Sequence, residues 1–168
     1  MARLEVEIGR LAREYHAKTG MWLTMGTVES ATGGRIADRI TNVPGSSDYF
    51  KGSVIAYSNE AKTTLIGVKK ATLRRYGAVS EQTALEMARG GRKLLNVEIC
   101  VSDTGIAGPS GAAPEKPVGL FYLGLATRNE TLSERHVFQG NRRGNKQAAA
   151  EAALTMLKQH LLRRVKVK

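Results

Sequence analysis

The sequence has a single cysteine, Cys100, so no internal disulfide is possible. Its three histidines, His16, His136 and His160, are scattered and show none of the close spacings of a zinc site, so no protein-bound transition metal is expected. No apolar run approaches the roughly 20 residues that cross a bilayer, and the opening stretch MARLEVEIGRLAREY is amphipathic rather than signal-like. No membrane partner is expected, and a cytoplasmic location follows by default. Neither GxxxxGKS/T nor GxGxxG occurs, which removes the common phosphate-cradling fingerprints, and the hydrolase signatures HExxH and GxSxG are absent too.

What remains is a chain of 168 residues and 18.2 kDa, 42% hydrophobic and 24% charged, an ordinary globular composition able to bury one core. Residues 1–168 are read as a single domain with no repeat and no linker. The marked bias is charge: 26 Lys and Arg against 15 Asp and Glu give a net charge of +11. From Arg135 to Lys168 nine basic residues stand against one acid, Glu151, and residues 163–168 form a basic tail. Such a stretch suits an anionic partner, or is only a solvated helix face. A nucleic-acid partner is the weaker anionic reading, because Phe138 is the one aromatic ring there and stacking platforms are lacking.

Leu4, Ile8, Leu11 and Tyr15 recur at helical spacing, which predicts a first helix ending at Thr19-Gly20. A strand over Met21–Val28 follows, then the turn ESATGGR, a brief helix through Ile36 and Ile40, and a loop at Pro44–Asp48. Ser53–Tyr57 reads as a strand, with Asn59 capping a helix that carries Lys62 in its first turn. A helix over about Ser80–Leu95 precedes a strand at Val97–Ser102 and the Gly/Pro loop Thr104–Pro117. Strands near Val118–Ala126 and Leu132–Phe138 pair as an antiparallel hairpin, and Ala148, Ala152, Leu157 and Leu161 mark a final helix. Strands alternating with helices, closed by one hairpin, predict a three-layer α/β/α domain with a mixed, mostly parallel sheet.

Three polar, glycine-marked loops each follow a predicted strand: TVESATGG, YSNEAK and SDTGIAGPSG. Ligands of open α/β sheets collect beyond the carboxyl ends of strands, so these loops predict a site. Taken singly, their residues have plainer roles: Ser30 as a helix cap, Ser46, Ser47 and Asp48 as turn formers, Tyr57 as a half-buried strand residue. Lys62 in a first helical turn opposes the macrodipole, a placement that generic stability avoids and that depresses a lysine pKa. Arg142 and Arg143 fall between a strand and a helix, ordinary surface positions unless an anion rests there. Cys100 and the histidines are assigned to packing or surface.

The motif series TVESATGG (27–34), PGSSDYFKGSVIAYSNEAK (44–62), GAVSEQTA (77–84), TGIAGPSG (104–111), KPVGLFYLGLAT (116–127) and FQGNR (138–142) resembles the CinA C-terminal domain family in order and spacing. The resemblance runs from about Leu4 to Leu162. It implies a single α/β/α domain. It also implies the chemistry of the family's nicotinamide-nucleotide amidases, which hydrolyse nicotinamide mononucleotide to nicotinate mononucleotide and ammonia with a serine and a lysine and no cofactor.

Carried over by motif, Ser47 is the nucleophile, Lys62 its base, and Tyr57 and Ser30 hydrogen-bond the relay or donate to the oxyanion. Thr104, Gly105, Gly108 and Arg142 hold the phosphorylated substrate. Ser30 stays open as the alternative nucleophile. Three positions depart from the family pattern: Ala31 where cysteine is common, Lys146 where arginine is common, and Asp103, which adds a negative charge near the expected phosphate site. The larger N-terminal domain fused to this module in some relatives is not expected here, and the chain is expected to stand alone and to form a homo-oligomer. A non-catalytic nucleotide- or partner-binding module, in competence or the DNA-damage response, and a basic nucleic-acid binder are the competing readings.

Overall fold

Alternation of apolar side chains along the strands decides the layering. In the computed structural model, which describes residues 3–166, β1 (Met25–Glu29), β2 (Phe50–Ile55), β3 (Ile99–Gly105), β4 (Leu120–Ala126) and β5 (Thr131–Val137) form one sheet in the order β2-β1-β3-β4-β5. The first three are mutually parallel, and β4 runs antiparallel between β3 and β5. Ile99 and Val101 of β3 point to one face, where they join Met25, Leu123 and Leu125 under α1 (Leu4–Thr19), α2 (Arg35–Thr41) and α6 (Arg142–Lys166). Cys100 points to the other face and packs with Val28 and Met87 beneath α5 (Glu81–Leu94). Each fully buried Leu, Ile or Met contributes roughly 1.5–3 kcal/mol, so two filled faces fix the register of the central strands. The three-layer α/β/α architecture expected from the sequence is what the chain adopts.

Close approach explains one glycine: a Cβ on Gly91 of α5 would stand 2.1 Å from the Val28 side chain. The first helix ends as predicted, with Gly20 left-handed at φ 74° and its N–H donating to His16 O. His16 stacks on Trp22 at 4.1 Å between ring centroids, and His136 stacks on Phe138 at 5.4 Å.

Several boundaries differ from the sequence expectation. The first strand starts at Met25 rather than Met21, and β2 starts three residues early, at Phe50. Helix α4 (Lys70–Tyr76) was not expected. Its seven residues are too few for a helical period to show. The predicted loop at Pro44–Asp48 contains a single 3-10 turn, Ser46–Asp48. In α3 (Asn59–Thr64) the cap is Ser58, whose Oγ accepts the Ala61 N–H at 3.0 Å, and Lys62 falls in the last turn rather than the first. Residues 163–166 of the basic tail continue α6 as helix, and residues 167–168 lie outside the described residues.

Candidate active site

Because β1, β2 and β3 are parallel, Ser30, Ala56-Tyr57 and Gly105 emerge at the same edge of the sheet. The three loops expected to build a site meet there around a cleft of about 160 Å³. Ser30, Ala31, Tyr57, Lys62, Thr104 and Arg142 line it.

Lys62 comes from α3 and is buried, with 2% of its surface exposed, next to Ser30 at 7%. Its Nζ lies 2.9 Å from Ser30 Oγ, 2.9 Å from Ala56 O and 3.1 Å from Tyr57 O. The two carbonyls can only accept, so they claim two of the amine's hydrogens. The third direction meets a hydroxyl, which can donate. A neutral Lys62 therefore aims its lone pair at the Ser30 proton. Burial holds the Lys62 pKa below the usual lysine range, against an opposing pull from Asp103. The helix dipole invoked from the sequence has no part in this, because Lys62 is in the closing turn of α3.

A second polar layer lies beneath the Ser30 turn. Asp103 on β3 accepts the Ser30 N–H at 3.0 Å and the Thr32 N–H at 3.1 Å. Glu29 accepts N–H groups of Gly34 (2.8 Å), Ile36 (3.2 Å) and Ala37 (2.8 Å), tying the turn to α2. Thr32 Oγ1 sits between the two acids, 2.6 Å from Glu29 Oε2 and 2.5 Å from Asp103 Oδ1. Burial, the largest cause, pushes the Asp103 carboxyl up to about 6. Asp103 is thus directed under the Ser30 turn, rather than toward the cleft as its sequence position suggested. The clue was alternation along β3, which sends Asp103 to the face opposite Ser102 and Thr104. Glu29 and Thr32 were quoted within TVESATGG without a role.

The other expected site residues divide. Arg142, the first residue of α6, donates to Gly108 O at 2.8 Å and to the Tyr57 hydroxyl at 3.1 Å. That leaves most of its five N–H donors available at the cleft mouth. Tyr57 meets Lys62 through its carbonyl, and the residue is exposed at 59% rather than half-buried in the strand as expected. Thr104 Oγ1 donates to Ala78 O at 2.7 Å, which ties the β3 end to the loop before α5. Gly105 is required by Phe121, whose ring would lie 2.3 Å from a Cβ there. Gly108 contributes its carbonyl to Arg142. Lys146 Nζ lies 3.3 Å from where a Cβ on Gly33 would stand, beside the same turn. Ser47 is not brought to the cleft. It is exposed in the turn that precedes β2, and its carbonyl accepts from Lys51. The length of β2, about 20 Å at roughly 3.3 Å per residue, separates that turn from the strand end that leads to Lys62. The Ser47–Lys62 pairing expected from the motifs is replaced by Ser30–Lys62.

Residues 10–161 match the CinA C-terminal domain. The chain belongs to that family. A CinA-like protein of Salinibacter ruber is 51% identical over 78% of this chain, and a CinA-like protein of Kosmotoga olearia 50% identical over 86%. The match covers 32% and 35% of those proteins, so the chain spans about a third of the length of the curated relatives it matches. Among solved structures, a competence/damage inducible protein CihA from Agrobacterium tumefaciens superposes with a TM-score of 0.85 at 36% identity, over 96% of this chain and 99% of that one. A competence or damage-inducible protein from Enterobacter asburiae gives a TM-score of 0.87 at 28% identity, over 96% and 99%. Both share the α/β fold of this chain. Among the described residues of this CinA domain, no helix is long and apolar enough to cross a membrane.

Proposed function

We propose that this CinA domain is a serine amidase that hydrolyses the carboxamide of nicotinamide mononucleotide to nicotinate mononucleotide and ammonia. The observation that carries this reading is the buried Lys62 amine 2.9 Å from Ser30 Oγ, with its other two directions fixed by carbonyls. A lysine held in this way is costly for a module that only binds, and suits a general base. Ser30 Oγ attacks the carboxamide carbon while its proton passes to Lys62 Nζ. The oxyanion takes the Ala31 N–H, which has no partner among the described residues. Collapse returns the proton from Lys62 to the leaving nitrogen, and water then hydrolyses the Ser30 ester. Arg142, anchored by Gly108 O and Tyr57, receives the phosphate at the cleft mouth. The test is ammonia release from nicotinamide mononucleotide by the purified chain, with nicotinate mononucleotide identified as the second product. Stoichiometric appearance of both supports the reading, and their absence across neutral and alkaline pH contradicts it.

A further inference from the structure

The turn beneath Ser30 poses a proton-counting problem. Glu29, Thr32 and Asp103 are all fully buried at 0% exposure, and the Thr32 hydroxyl lies within 2.6 Å of a carboxyl oxygen on each side. A hydroxyl has one proton. If both acids were ionised, Thr32 would donate to one and press its lone pairs against the other at hydrogen-bond distance, in a site closed off from bulk solvent. One added proton removes the conflict: one acid donates to Thr32, and Thr32 donates to the other.

The neighbours decide which acid holds the proton. Glu29 accepts three backbone N–H groups, two of them on Oε2, the oxygen that faces Thr32. Asp103 accepts two, one on each oxygen. More donors favour the ionised form, which places the charge on Glu29. Burial already lifts the Asp103 carboxyl to about 6 against the pull of a hydroxyl donor, and with Thr32 turned toward Glu29 that pull is gone.

We propose that Asp103, Thr32 and Glu29 share one proton at neutral pH, with Asp103 the neutral acid that donates through Thr32 to the Glu29 carboxylate. The charged groups that act on or respond to Asp103 are Glu29 from β1 and Lys62 from α3, and Lys146 from α6 stands farther along the same turn, beside Gly33. A neutral Asp103 carries its proton on Oδ1, which faces both Thr32 Oγ1 and the Ser30 N–H, and still accepts the Thr32 N–H on Oδ2, so it fixes the turn that carries the serine. It also withdraws the negative charge that would favour an ammonium on Lys62. Asp103 is in this sense a positioning residue for the pair. The shared proton rests on geometry, and its consequence for Lys62 rests on the amidase reading above.

The sequence has only three aspartates, Asp38, Asp48 and Asp103, so carboxyl-13C aspartate labelling gives a three-signal spectrum. Asp38→Asn and Asp48→Asn assign it. The proposal expects the Asp103 carbon to report a protonated acid at pH 7. An Asp103 signal that is ionised at pH 7 overturns it, and this arm needs no variant of the turn. In Thr32→Val the acid loses its acceptor, so the Asp103 midpoint is expected to fall by about one unit, while Thr32→Ser leaves it in place. A rise in Thr32→Val would mean that the hydroxyl donates to an ionised Asp103, and would overturn the proposal. In ammonia-release assays the acid limb of Thr32→Val is expected to move to higher pH, and that of Thr32→Ser to stay. A failed amidase reading would silence only that last arm, leaving the spectra to decide.

Discussion

Replacing Lys62 by methionine separates the chemistry from the fold. Methionine keeps much of the unbranched stem and removes the amine, which is 2% exposed and bonded to Ser30 Oγ, Ala56 O and Tyr57 O. The buried Ala56 carbonyl loses a donor, at about 1–3 kcal/mol, and the part-buried Tyr57 carbonyl loses one at less cost. The native state in turn no longer shields an amine from water, and the two effects oppose one another, so a net loss of about 0–3 kcal/mol is expected in urea denaturation. The pH dependence gives the sign. Below its lowered pKa, Lys62 is an ammonium in both states and only the native state bears the cost of burial; above about 10.5 it is neutral in both and that cost is gone. Wild-type stability therefore gains with rising pH across that window, and the methionine variant lacks the gain. The wild-type advantage should be larger at pH 10 than at pH 6. For activity, a general base contributes roughly 100- to 10,000-fold, and without it Ser30 has no acceptor for its proton. Ammonia release from nicotinamide mononucleotide should fall by at least about 1,000-fold in a variant whose circular dichroism is native. Retention of more than about a tenth of the activity would place less than 1.4 kcal/mol at stake and refute Lys62 as the base.

Arg142→Ala should lower kcat/KM for nicotinamide mononucleotide by about 2–3 kcal/mol and that for nicotinamide riboside, which lacks the phosphate, much less; equal losses would make the arginine a structural tie between α6 and Gly108. In the wild type, kcat/KM should rise with pH through the lowered Lys62 pKa, since only the free amine accepts a proton, and a flat profile would contradict that. Ammonia release should survive a chelator, because among the described residues no group of His, Cys, Asp and Glu is placed to hold an ion, and loss restored by a divalent ion would overturn the Ser/Lys scheme. Binding to random duplex DNA should be weak and fall steeply with salt, and micromolar or tighter binding at physiological salt would revive the nucleic-acid reading.

The layers and the location of the cleft were legible because both follow from period and order. Leu4, Ile8, Leu11 and Tyr15 mark one face of α1, and the strand-then-loop order of TVESATGG, YSNEAK and SDTGIAGPSG puts three polar turns at one edge of a parallel sheet. The choice between serines was less legible, since a motif match says nothing about which end of a strand a residue occupies. Chain direction did hold that information: Ser47 precedes β2 and Ser30 follows β1, and only the second position faces the carboxyl edge. The one-residue choice between Ser58 and Asn59 as cap, in a helix of only six residues, was enough to misplace Lys62 in the dipole. Its lowered pKa instead comes from burial, a tertiary property that the local sequence does not display. The same is true of Asp103, whose partners on β1 and its turn are more than seventy residues away in the chain.

The most direct test of the account compares Ser30→Ala with Ser47→Ala in the same ammonia-release assay on nicotinamide mononucleotide, with each variant shown to be folded. Ser30→Ala removes the hydroxyl 2.9 Å from Lys62 Nζ, whereas Ser47→Ala changes an exposed turn about 20 Å away at the other end of β2. The Ser30–Lys62 account predicts an inactive Ser30→Ala, no worse when combined with Lys62→Met, and a Ser47→Ala close to wild type. An active Ser30→Ala beside an inactive Ser47→Ala would contradict it.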